Sequence, residues 1–172
     1  MSHLIPDYVF SSIYDITPAL LAKHGVRGVL IDLDGTMASH RAALPPDTVA
    51  PFICGLRDAG VQVLVFSNNN AHRVGTFCEA LGVPFVSSAR KPFRKAFDRA
   101  AEQLGLKMDE IAVVGDQIFT DVFGGNRAGA LTCYVQTLDR RFFWINARYQ
   151  LERYFIGRGQ KQMEARSHHD KT

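Results

Sequence analysis

The chain has no uninterrupted apolar segment near the roughly 20 residues that a membrane-spanning helix needs. Its opening, MSHLIPDYVF, has neither a basic start nor a hydrophobic signal region. A spanning or secreted protein is therefore not expected, and a cytoplasmic address is. Cysteine is scarce: Cys54, Cys78 and Cys133 are widely spaced and form no C-x-x-C pair. That argues against a disulfide framework and reads all three as small core residues in a reducing compartment. His24, His40 and His72 are scattered without ligand spacing, so zinc is not expected either. Internal repeats, low-complexity stretches and long linkers are missing. So is a strong charge of one sign: the net charge is +3 over 172 residues, and residues 139–172 hold eight Lys/Arg against four Asp/Glu, leaving the first 138 at −1. This argues against a basic nucleic-acid-binding core, while an acidic or lipid-facing contact through the C-terminus stays open.

What is present is an apolar fraction of 47%, enough for a core of ordinary size. Apolar, β-branched runs alternate with helical patterns. Strands are expected at 28–33, 61–66, 83–88, 111–115 and 130–135, and helices near 47–58, 71–81, 92–104 and 119–128. Runs apolar at both alternating positions are buried on both faces. The fold class is therefore α/β, a doubly wound parallel sheet with sites at the C-terminal ends of its strands. Gly60, Gly82, Gly105 and Gly129 fall just after helical stretches, and Pro92 falls where a first helical turn is expected. Residues 1–27 read as an irregular arm followed by a short helix capped by Thr17. Residues 28–138 read as the main domain, 139–158 as an amphipathic basic helix, and 159–172 as a disordered polar tail.

Four strand ends carry polar groups. In "DLDGT", Asp32 and Asp34 are two apart and share a face of an extended chain, while Gly35 lets the backbone turn. Two carboxylates so close repel unless a cation lies between them, and a hard, oxygen-seeking ion such as Mg²⁺ suits them. In "SNNN", Ser67 and the N–H groups of the following helix could hold an anion, although a helix cap is the plainer reading of these residues taken alone. In "RKPF", Lys91 places a positive charge at the same sheet edge, where a solvated lysine is the plainer reading. In "VVGDQIFTD", Asp116 sits at a strand tip and Asp121 near a helix start. Facing Asp32 and Asp34, they would form an acidic pocket that is costly without a metal.

Asp-x-Asp, Ser, Lys and Gly-Asp-x4-Asp, in that order at strand ends, resemble the haloacid dehalogenase-like (HAD) phosphohydrolase superfamily. The resemblance covers roughly residues 28 to 130. It implies that Asp32 is the nucleophile, forming an aspartyl-phosphate, and that Asp34 is the general acid and base. Ser67, Asn68 and Lys91 would bind phosphate. Asp32, the backbone carbonyl of Asp34 and Asp116 would hold Mg²⁺, with Asp121 beside them or reaching it through water.

Members of this superfamily choose substrates with inserted caps. Only 32 residues separate Asp34 from Ser67 and 23 separate Ser67 from Lys91, so no cap fits. The open pocket suits a large or surface-bound substrate, or one covered by another subunit of a homo-oligomer. The strings "SNN" and "GDQIFTDVFGGNRAG" resemble the YqeG-type branch of the capless subclass III, which is similar to phosphatidylglycerophosphate phosphatases. That implies phospholipid metabolism. In "RRFFWINARYQLERYFIG", Trp144, Ala147, Leu151, Tyr154 and Phe155 fall at helical spacing among Arg140, Arg141, Arg148, Arg153 and Arg158. Either the helix packs on the sheet, or it draws the protein to an anionic membrane at the inner face. Two alternatives remain: a capless phosphatase acting on a soluble sugar phosphate, nucleotide or phosphoprotein, and a receiver-like phosphoacceptor module. Element order counts against the second, because the lysine here precedes the second acidic pair.

Overall fold

The computed structural model describes residues 3–139 and 143–169, with the side chains of 143–148 and 168–169 outside that description. Among the described residues, the strands are β1 (Tyr8–Phe10), β2 (Gly28–Ile31), β3 (Gln62–Phe66), β4 (Phe85–Val86), β5 (Ile111–Gly115) and β6 (Leu131–Val135). They form one sheet in the order β1-β6-β5-β2-β3-β4, every neighbouring pair parallel. The helices are α1 (Pro18–Lys23), α2 (Val49–Asp58), α3 (Ala71–Leu81), α4 (Arg94–Leu104), α5 (Phe123–Ala128) and α6 (Phe143–His169).

Alternation along the strands divides the core between the two faces. Val29, Ile31, Val63, Val65, Ala112 and Val114 join the cluster that contains Ile53 of α2 and Phe77 of α3. Leu30, Leu64, Phe66, Ile111 and Val113 join Phe97, Ala100 and Leu104 of α4 on the other face. This is the doubly wound α/β arrangement read from the sequence. The intervals Asp34 to Ser67 and Ser67 to Lys91 each hold one helix and one strand and no inserted lid.

Several expectations are corrected. Tyr8–Phe10, read as part of an irregular arm, is an edge strand paired with β6. Three residues are too few to show a period. Pro92 lies before α4, not in it; it follows a cis Lys91–Pro92 bond, and the helix opens at Arg94. Cys78 and Cys133 are buried, but Cys54 is exposed, because α2 buries Val49, Ile53 and Leu56 and turns the next position outward. The 159–172 stretch is not a disordered tail as far as it is described: α6 runs unbroken to His169. Gly159 permits close contact with Pro6, where a Cβ would lie 2.7 Å from the ring, and Arg166 reaches Asp7 at 3.5 Å. The buried face of α6 also differs from the expected stripe. Glu152, Ile156 and Gly159 are buried, whereas Leu151 and Tyr154 are 69% and 66% exposed. The helix docks through Ile156 onto Val9, Ile118, Val122 and Tyr134, and that contact sets its rotation. Arg140 and Arg141, and the side chains of Trp144, Ala147 and Arg148, lie outside the described residues.

Candidate active site

Strand register builds the site. Ile31 pairs with Val65 of β3 on one side and Val114 of β5 on the other, and Asp32 donates its N–H to Val114 O at 2.8 Å. The residues just past these three strands are Asp32, Ser67 and Asp116, so adjacent parallel strands deliver all three to one edge. That edge is where β2, at the centre of the order, sends its chain outward, the usual crevice of such sheets.

Lys91 arrives from the loop after β4. Asn68 holds its backbone at both ends, accepting Lys91 N–H at 2.7 Å and donating to Lys91 O at 3.2 Å. Ala89 N–H donates to Ser67 O at 3.0 Å. The loop adopts left-handed backbone at Ser88 and Arg90, with φ of 46° and 63°. That conformation costs side-chain-bearing residues on the order of 1 kcal/mol each and is tolerated where the surroundings dictate it. Lys91 Nζ donates to Asp32 Oδ1 at 2.6 Å, to Asp121 Oδ1 at 2.6 Å and to Phe66 O at 2.8 Å.

One carboxylate oxygen from each of Asp32, Asp116 and Asp121 lies within 4.8 Å of the others, and all three residues are buried. Burial pushes the Asp32 carboxyl up to about 7; Lys91 opposes this, while Asp121 and Asp116 add to it. For Lys91, burial would lower the ammonium, but Asp121 and Asp32 outweigh it and hold the group above its ordinary range. Three buried hard-oxygen donors with one internal cation suit a Mg²⁺-type ion.

Two glycines make this crowding possible. At Gly115 a Cβ would fall 2.3 Å from the Asp121 carboxyl carbon; at Gly35, where φ is +87°, it would fall 2.6 Å from Asp116 Oδ2. Asp121 folds back within its own turn, accepting Gln117 N–H at 3.2 Å. The stretch expected as regular helix begins here as a π-type turn, Ile118–Val122, before α5.

Asp34 stands outside the carboxylate cluster. Its side chain accepts from Arg73 Nη2 at 2.9 Å, Arg73 Nε at 3.3 Å and Asn69 Nδ2 at 3.0 Å. Ser67 Oγ accepts Asn69 N–H at 3.1 Å, which links Ser67 to Asp34 through one residue. The structure gives the Asn68 side chain a different task from the expected one: it positions Lys91.

Sequence reasoning missed Arg73, Asn69 and Asp139. Arg73 lies in the first turn of α3, where a cation opposes the helix dipole, and that misplacement was a readable sign of an acidic partner. Buried Asp139 accepts from Ser39 Oγ at 2.5 Å and His40 N at 2.7 Å, and its other contact is His40 Nδ1 at 2.5 Å. It thereby anchors the loop after β2. Burial alone would raise its carboxyl, but these hydrogen bonds outweigh it and hold the group below the usual range.

Residues 25–129 match the family described as haloacid dehalogenase-like hydrolase. The chain is 40% identical over 131 residues to Probable phosphatase YqeG of Bacillus subtilis, covering 76% of each. It is 27% identical over 127 residues to chloroplastic phosphatidylglycerophosphate phosphatase 1 of Chlamydomonas reinhardtii, covering 69% of this chain and 47% of that one. In fold it is similar to the cobalt-bound deoxy-D-mannose-octulosonate 8-phosphate phosphatase of Haemophilus influenzae. The TM-score there is 0.53, at 21% identity, covering 65% of this chain and 69% of that one. The 3-deoxy-D-manno-octulosonate 8-phosphate phosphatase of Yersinia pestis is also similar, with a TM-score of 0.51 at 13% identity over 82% of this chain and 85% of that one.

Proposed function

The chain belongs to the haloacid dehalogenase-like hydrolases, and from that premise we propose that this phosphoric monoester hydrolase is Mg²⁺-dependent, works through an aspartyl-phosphate on Asp32 and acts on phosphatidylglycerophosphate. The observation that carries the chemistry is the meeting of Asp32, Asp116 and Asp121 around Lys91. Asp32, the backbone carbonyl of Asp34 and Asp116 would hold Mg²⁺, with Asp121 beside them. When bound, the ion offsets carboxylate repulsion and the charge of the phosphate.

The chain's own residues supply the rest. An Asp32 carboxylate oxygen attacks phosphorus, a P–O bond forms, and the ester P–O bond breaks. Asp34 gives its proton to the departing alkoxide. Water then attacks the phosphorus of the aspartyl-phosphate; Asp34 takes a proton from it, and Asp32 leaves as a free carboxylate with inorganic phosphate as product. Ser67 Oγ, the Asn68 main-chain N–H and Lys91 Nζ bind the phosphoryl oxygens. Lys91 exchanges a carboxylate for a phosphate oxygen, so its charge stays compensated.

The lipid part of the reading draws on the relative named phosphatidylglycerophosphate phosphatase and on the open, uncapped sheet edge. An open groove of about 1190 Å³ takes in Arg90, the residue before Lys91; exposed Phe93 borders it, and Arg90, Arg94, Lys95, Arg99 and Arg127 outnumber Asp98 and Glu102 along it. Its charge suits an anionic substrate or surface. No helix among the described residues is long and apolar enough to cross a membrane, so attachment would be peripheral.

The test is hydrolysis of a generic phosphomonoester and of phosphatidylglycerophosphate in micelles, with and without Mg²⁺. Asp32→Asn is expected to lower kcat by at least about a thousandfold while the protein stays folded. Activity that survives this change overturns the mechanism, and a strong preference for small soluble esters overturns the substrate. Co-sedimentation with anionic vesicles tests the peripheral contact.

A further inference from the structure

Glu152 is a carboxylate that the mechanism above does not use. It lies in the middle of α6, is 1% exposed, and shares the helix's buried stripe with Ile156 and Gly159. Its Oε1 accepts the N–H of Ile118 at 2.8 Å, across 34 residues of sequence. Ile118 opens the turn that carries Asp121 two residues after the tip residue Asp116, and its own side chain is fully buried.

This turn begins with backbone N–H groups that have no partner within it, as every helical N-terminus does. Two carboxylates receive two of them. Gln117 N–H goes to Asp121 Oδ2 at 3.2 Å, and Ile118 N–H goes to Glu152. Asp121 is already shared, since its other oxygen accepts from Lys91. Without Glu152, a buried donor between Asp116 and Asp121 would lose its acceptor, and the turn would have to shift to satisfy it. Around this bond α6 packs against the same turn: Ile156 joins Ile118 and Val122 in one cluster, and Phe155 meets Phe119 edge-on at 6.5 Å between ring centroids.

Resting on the Mg²⁺ reading above, we propose that Glu152 is a positioning residue that ties α6 to the turn carrying Asp121, so that cation affinity at Asp32, Asp116 and Asp121 depends on this helix being docked. The C-terminal helix is thereby part of the active-site support and not an appendage of the sheet. What Ile118 N–H needs is an acceptor at the right reach; the negative charge is secondary.

That distinction sets the test. Glu152→Gln keeps the reach and an acceptor oxygen, whereas Glu152→Asp keeps the charge and withdraws it by one methylene. Binding of Mg²⁺ alone to protein stripped with EDTA is measured by calorimetry and by Mg²⁺-induced thermal shift, alongside the Mg²⁺ concentration for half-maximal hydrolysis. Glu152→Gln is expected to bind within about threefold of wild type, and Glu152→Asp about ten- to a hundredfold more weakly, the range found when groups behind metal ligands are disturbed. Equal affinity in all three proteins, or a weaker Gln than Asp variant, overturns the role of Glu152. Wild type that binds no Mg²⁺ overturns the metal reading itself, and the two failures are distinct. The Gln and Asp variants decide the matter even if Glu152→Ala does not fold.

Discussion

A lysine buried between two aspartates brings charge into a place where carboxylates alone would repel one another. Lys91 was legible because it stands directly after an apolar strand and before a proline, at the same sheet edge as the other motifs. Its double pairing with Asp32 and Asp121 was not legible, since those partners lie 59 and 30 residues away. Arg73 was harder still, as nothing in "NNNAHR" links it to Asp34 except its poor placement against the helix dipole. Its Nε and Nη2 both reach Asp34 Oδ1 and Nη2 also reaches Ser39 O, while Nη1 donates to Ala42 O. A lysine cannot reproduce that spread of donors. Arg73→Lys is therefore expected to lower kcat about ten- to a hundredfold and to lower Tm as well, because Asp34 is buried and the Arg73 side chain is only 17% exposed. Paired kinetic and thermal measurements check this. An unchanged kcat would remove Arg73 from the support of Asp34.

At the scale of elements, the helices and strands that carry chemistry were legible, since each is long enough to show its period. Expected strands 61–66, 111–115 and 130–135 and helix 71–81 match the observed elements to within a residue at each end. The misses share a cause. β1 has three residues and α6 places an acid on its buried stripe, so local periodicity was absent or misleading there, whereas the strand expected at 83–88 is present as the two-residue β4. Both sheet edges are accordingly short, which limits strand addition by another chain. The turn from Gly115 to Asp121 shows how tightly neighbouring elements are fitted. A methyl group at Gly115 would overlap the Asp121 carboxyl. Gly115→Ala is expected to cost about 1–3 kcal/mol by overpacking and to weaken Mg²⁺ activation more than it weakens folding. Denaturant melts combined with Mg²⁺ titration of activity separate the two effects. Full activity at wild-type Mg²⁺ concentrations would show that Asp121 is not held where the site needs it.

For the molecule as a whole, the acidic cluster couples stability to pH and, on the Mg²⁺ reading proposed above, to metal. The free Asp32 carboxyl titrates near 3.8 in an unfolded chain and at about 7 in the folded metal-free protein. The folded state therefore binds this proton more tightly. The stabilisation is fully present below 3.8 and is lost as pH rises through about 7. Asn at this position has no charge to bury. In EDTA, Asp32→Asn is thus expected to melt increasingly above wild type as pH goes from 5 to 8, by roughly 5 °C or more at the upper end. Mg²⁺, which requires the ionised carboxylate, should close that gap at pH 8 and have little effect at pH 5. Thermal melts at the two pH values with EDTA or Mg²⁺ provide the check, and a pH-independent gap would contradict the burial of an ionisable Asp32.

By itself the sequence determined the wound parallel sheet, the absence of an inserted lid and the identity of the acidic, hydroxyl and lysine groups at the strand ends. Those features follow from periodicity, segment length and residue type, all of which are local. Tertiary structure alone decided which oxygen faces which cation, that Asp34 belongs to Arg73 and Asn69, and that Glu152 of the last helix accepts the Ile118 N–H in the turn carrying Asp121. The physical reason is that a hydrogen bond or ion pair between distant residues depends on strand register and helix rotation. Both are set by packing of the whole core, and packing leaves no periodic signal in the segments that it joins.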